Sequence, residues 1–143
     1  MKPNNFLVQN QIRKSIEFLE KKNFLEAIKL INILKKSKKT KNSGLFLNGI
    51  FYIKQKASNE AKKCFNKILE TEINHLEANL NLGLIFYDEK KYDKSEFYFN
   101  KVININYNQI DAHYHKALIF FDKKKYENSI ECLNKCKEIN SEF

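Results

Sequence analysis

Glycine and proline are nearly missing from this sequence, with three and one in 143 residues. A strand-rich protein needs turn residues about every 8–12 positions, and this chain cannot supply them. Helix is the expectation. No apolar run approaches the roughly 18 residues that a membrane-spanning helix requires, so no span is expected. The N-terminus, MKPNNFLVQNQIRKS, has no apolar signal core. Three cysteines, Cys64, Cys132 and Cys136, are an odd set without a disulfide spacing. Both observations point to a reducing, cytoplasmic compartment. What is plentiful is a balance of 43% hydrophobic to 30% charged residues, which suits a folded domain with a core rather than a disordered tail.

The signatures of catalysis are also missing. There is no Gly-rich phosphate loop, no HExxH and no GxSxG. His113 and His115 are two apart, so on a helix they point about 200° from each other and cannot share a metal from one face. Cys132 and Cys136 are four apart and could share a face, but no further ligands are suitably spaced, and packing is the better reading. Acidic pairs such as Asp88–Glu89 fall in an inter-helix turn, where solvated charge explains them. The expectation is no enzyme activity, no cofactor and no metal.

The net charge of +9 is unevenly placed. Residues 1–41 carry 11 Lys or Arg against three acids, whereas residues 42–143 carry 15 against 14. The densest block is KKSKKTK, with Lys35, Lys36, Lys38, Lys39 and Lys41. It could attract nucleic acid or an acidic partner. Without interleaved aromatics, nucleic acid is the weaker reading, and lysines solubilising a helix end are the plainer one.

The chain repeats itself. Residues 84–106 read LIFYDEKKYDKSEFYFNKVININ and residues 118–140 read LIFFDKKKYENSIECLNKCKEIN, with 12 of 23 positions identical at a spacing of 34. The same period divides the chain without gaps into 8–41, 42–75, 76–109 and 110–143. Numbering each unit from 1 to 34, position 8 is small (Ser15, Gly49, Gly83, Ala117) and position 11 is aromatic (Phe18, Tyr52, Phe86, Phe120). Position 20 is again small (Ala27, Ala61, Ser95, Ser129), and position 24 is bulky (Ile31, Phe65, Phe99, Leu133). Small residues let two helices approach closely, and the large ones fill the space beside that contact. Apolar steps of three and four predict two helices per unit, near 4–21, 24–37, 43–55, 58–72, 76–89, 92–105, 110–123 and 126–139. On this register Gly83→Leu should cost roughly 2–4 kcal/mol by overpacking. Lys90 reads as a surface lysine whose loss should cost less than about 0.5 kcal/mol.

These four columns at a gapless period of 34 resemble the tetratricopeptide repeat family over essentially the whole sequence. The family's proline at position 32 is missing from every unit (Lys39, Ile73, Tyr107, Ser141), and the first unit departs furthest from the pattern. The resemblance implies an all-α, right-handed superhelical solenoid of about four helix-turn-helix repeats (eight antiparallel helices), one domain over 1–143. It further implies that the first helix of each unit lines a concave surface used for partners.

Inward positions 5, 9 and 12 are apolar or aromatic throughout, and from them the partner groove is assigned to Ile12, Ile16, Phe46, Ile50, Leu80, Leu84, Tyr87, Tyr114, Leu118 and Phe121, with Asn81 at position 6. Its acids are Glu77, Asp88, Asp111 and Asp122. Such a groove suits an apolar or amphipathic protein segment with basic flanks. Part of that apolarity serves packing between neighbouring units. The family's clamp for a chaperone C-terminal carboxylate is not reproduced, because its places hold Phe46, Ile50, Asn81, Asp111 and His115. The leading expectation is a protein-interaction scaffold. The alternative is the N-terminal repeat region of a longer glycosyl- or sulfotransferase. On the last helix, Ile130, Leu133 and Ile139 are expected to lie uncovered and to dock on a downstream segment or a second copy.

Overall fold

The computed structural model describes residues 5–141, so position 4 of the first predicted helix and residues 142–143 of the fourth unit lie outside the described residues. The described residues form eight α-helices and no strand. In chain order they are α1 (Asn5–Glu20), α2 (Phe24–Lys36), α3 (Lys41–Lys54), α4 (Ser58–Leu69), α5 (Leu76–Asp88), α6 (Tyr92–Ile105), α7 (Ile110–Asp122) and α8 (Tyr126–Ser141). The chain divides into two compact blocks, Met1–Thr71 with α1–α4 and Glu72–Phe143 with α5–α8.

The helix limits depart from the predicted ones where a side chain intervenes. α3 begins at Lys41, not 43, because the buried Thr40 hydroxyl donates to the Leu34 carbonyl at 2.6 Å and fixes the turn two residues earlier. α4 stops at Leu69, not 72. There Thr71 turns back, its amide and hydroxyl both bonding the Ile68 carbonyl, and Asn42 of α3 reaches that hydroxyl at 3.0 Å.

Within each 34-residue unit the two helices are joined by the same turn. Lys22, Lys56, Lys90 and Lys124 have φ of 57°, 58°, 57° and 58°, the left-handed region that side chains with a Cβ seldom occupy. These four lysines lie 34 apart. The following amide closes each turn onto a carbonyl five residues back, as from Asn23 to Phe18 and from Lys91 to Phe86, both at 2.8 Å. This is the bond that finishes a helix in a Schellman turn.

The small and bulky columns meet inside the α3/α4 and α5/α6 pairs. An ideal Cβ on Gly83 would lie 2.8 Å from the Phe99 ring, and one on Gly49 would lie 2.6 Å from the Phe65 ring. Both rings are fully buried. The units with Ser15 or Ala117 at position 8 carry the aliphatic Ile31 or Leu133 at position 24 instead. Position 20 also bonds across the pair, since the Ser95 hydroxyl donates to the Gly83 carbonyl at 2.7 Å and that of Ser129 to Ala117 at 2.8 Å.

Two cores result. In the N-terminal block, Leu19, Ala27, Ile31, Leu34 and Leu47 cluster, backed by Ile12 and Ile50. In the C-terminal block, Phe99 and Val102 of α6 pack with Ala112 and Ile119 of α7. On α8, Ile130 and Leu133 are exposed, but Ile139 is only 3% exposed, which corrects its expected place on the open face. It follows Ile130 by nine residues, roughly half a helical turn out of phase, and so points to the interior.

Candidate functional site

The groove residues of the C-terminal block lie on α5 and α7, the first helices of their units. Leu80, Leu84 and Tyr87 are half-buried and rest on the core of Phe99, Val102, Ala112 and Ile119. Leu118 is half-buried, whereas Tyr114 and Phe121 are 47% and 59% exposed. The column therefore divides into a packed floor and two projecting rings. Asn81 donates to the Glu77 carbonyl of its own helix at 2.8 Å. Glu77, Asp88, Asp111 and Asp122 are all at least partly exposed.

One bond ties the two helices together. The Tyr87 hydroxyl donates to the Asp122 carboxylate at 2.9 Å. Burial first, and then this bond to an anion, push the Tyr87 phenol up to about 12, so it remains a donor at any physiological pH.

From the sequence, His115 was legible as a histidine unable to share a metal with His113 and as the occupant of one carboxylate-clamp place. In the structure its ring stacks on Phe99 at 5.4 Å, with the Tyr87 and Tyr114 rings at 6.0 and 5.6 Å. Burial holds its pKa below the ordinary value against the opposing pull of Asp111 and Asp88. The candidate face is thus backed by a neutral imidazole among aromatic rings. His113, two residues away, is buried and bonded through Nε2 to the Tyr107 carbonyl at 2.8 Å. No sequence signal separates these roles, because both depend on which ring faces α6.

In the N-terminal block, Ile12 and Ile50 pack against the core, and Phe46 is half-buried with its ring 5.9 Å from Phe65. Ile16 is 42% exposed. The lysine segment runs from the end of α2 to the start of α3. Lys36, Lys38, Lys39 and Lys41 are at least partly exposed. Lys35 is half-buried beside a cleft of about 320 Å³ that Asn48, Cys64, Lys63 and Lys67 also line. Burial pushes the Cys64 thiol up, so it stays protonated. Cys132 and Cys136 are half-buried, and the Cys136 thiol donates to the Ile110 carbonyl at 3.7 Å. Among the described residues, no three His, Cys, Asp or Glu side chains gather as a metal site. No helix among them is long and apolar enough to cross a membrane.

The sequence profile of the tetratricopeptide repeat matches residues 76–109 and 110–143. Residues 76–143 carry two tetratricopeptide repeats. The two matched stretches hold the α5/α6 and α7/α8 pairs, so the candidate face on α5 and α7 lies wholly within recognised repeats. Solved structures of MamA resemble this chain in fold. One is 17% identical, with a TM-score of 0.81 over 99% of this chain and 81% of that one. Another, residues 41 to the end of MamA from Desulfovibrio magneticus RS-1, is 15% identical, with a TM-score of 0.78 over 94% and 76%. At these identities the likeness is one of fold. No curated protein matches the sequence.

Proposed function

We propose that the chain is a non-catalytic interaction scaffold whose α5/α7 face takes an apolar or amphipathic protein segment with basic flanks. The observation that carries this reading is the pair of projecting rings, Tyr114 and Phe121, beside four solvent-accessible carboxylates. Exposed aromatics give a partner large area to bury, and carboxylates at the edge select its flanking charge. The floor of Leu80, Leu84 and Tyr87 is already fixed by the core and by the Asp122 bond, so binding orders little that is not ordered beforehand. Tetratricopeptide repeats support the general class of protein–protein scaffold. The same reading gives Ile12, Ile16, Phe46 and Ile50 of the N-terminal block an apolar contact role of their own.

The test is to pan a displayed random-peptide library on the intact protein. Enriched peptides should carry aromatic or aliphatic anchors next to Lys or Arg. Tyr114→Ala and Phe121→Ala should each weaken a selected peptide by about tenfold. Asp111→Lys should slow its association at low salt. Acidic peptides, or binding indifferent to all three substitutions, would sink the proposal.

A further inference from the structure

The outward face of α8 is built differently from its counterpart one repeat earlier. On α6, Tyr92, Glu96, Phe99 and Ile103 make the face that receives α7: Phe99 is fully buried, Tyr92 and Ile103 back the core, and Glu96 meets Lys123, just past the end of α7, at 3.4 Å. Thirty-four residues later the same places on α8 hold Tyr126, Ile130, Leu133 and Lys137. No element among the described residues covers them as α7 covers α6, and Tyr126, Ile130 and Leu133 are 54%, 58% and 44% exposed. At the centre of this open face isoleucine stands where α6 has an acid, the reverse of what a solvent-facing cap requires.

The first helix contrasts with it. Where α7 buries Ala112 and Ile119, α1 carries Asn10 and Glu17, and Glu17 pairs with Lys21 at 2.7 Å. That face presents an exposed Phe6 near its start, but an amide and a paired carboxylate stand where α7 buries two apolar side chains, so seating α8 there would bury Glu17. A head-to-tail contact is therefore disfavoured, and the α8 face best matches itself.

We infer that a second copy of this chain packs on α8, antiparallel and across a two-fold axis. The steps of four, three and four from Tyr126 to Lys137 form the narrow seam along which two helices mesh. A two-fold axis midway along that seam sets Ile130 against Leu133 of the second copy, and Lys137 beside Tyr126 and Glu127 of the second copy. Each contact occurs twice by symmetry. Charge chooses the direction: Glu127 and Glu131 lie in the first half of α8, and Lys137 lies in the second, where Lys135 is already paired with Glu138 at 2.8 Å. A parallel pair would oppose Lys137 to Lys137 and Glu127 to Glu127.

Sedimentation velocity of the intact protein over a wide concentration range tests this inference. A dimer should grow with concentration, and Leu133→Glu should abolish it while circular dichroism shows the helices intact. Glu17→Lys on α1 should leave the dimer unchanged. Glu127→Lys and Lys137→Glu should each weaken association roughly fivefold, and the two together should restore it. A monomer at the highest concentration, a dimer indifferent to Leu133→Glu, or a charge-swapped double variant no better than the singles overturns the proposal.

Discussion

Four lysines hold the backbone where glycine is at ease. Placing a Cβ in the left-handed region costs about 1–2 kcal/mol against the right-handed one, and Lys22, Lys56, Lys90 and Lys124 each bear that cost in the same turn. Glycine would remove the clash but loses more freedom on folding, which offsets part of the gain. Lys90→Gly should therefore raise stability by about 0.5 kcal/mol, read as a higher midpoint in urea with unchanged slope. Lys90→Ala keeps a Cβ and should stay within about 0.5 kcal/mol of the parent. The sequence alone presents Lys90 as an ordinary exposed lysine. Its backbone angle is invisible there, because the usual marker of such a turn is a glycine and this chain does without one.

Between paired helices the decisive fit is that of a missing side chain to a large one. Gly83 leaves the room that the Phe99 ring occupies, and Gly49 does the same for Phe65. Adding even one methyl at Gly83 should cost about 1–3 kcal/mol, since the ring is enclosed and cannot retreat. Gly83→Ala combined with Phe99→Leu should recover part of that loss, because the fourth unit places Ala117 and Leu133 at the same two positions. The measurement is a double-mutant cycle in denaturant. A cycle with no coupling would show that the two sites do not share space. The columns of small and bulky residues were plain in the sequence because a period of 34 repeats them four times. Their reciprocity was not, since it depends on which atoms approach across the pair. The burial of the residues assigned to the candidate face was legible in the same partial way. Positions 5, 9 and 12 read alike from sequence, but the helix packing turns Leu84 inward and Phe121 outward.

At the scale of the whole molecule, charge separates the blocks more sharply than fold does. Residues 1–71 carry 16 basic against five acidic side chains, +11, and residues 72–143 carry ten against 12, −2. The protein should be retained on heparin at low salt and released steeply as salt rises. Converting Lys36, Lys38, Lys39 and Lys41 to Glu lowers the net charge from +9 to +1 and should move elution to clearly lower salt. Unchanged elution would place the attraction elsewhere on the surface. The first helix, with Asn10 and Glu17 where a later unit buries Ala112 and Ile119, also makes the design directional. An engineer wishing to lengthen the protein could add a unit behind α8 and find an apolar seat prepared. A unit placed ahead of α1 would first require that helix to be resurfaced.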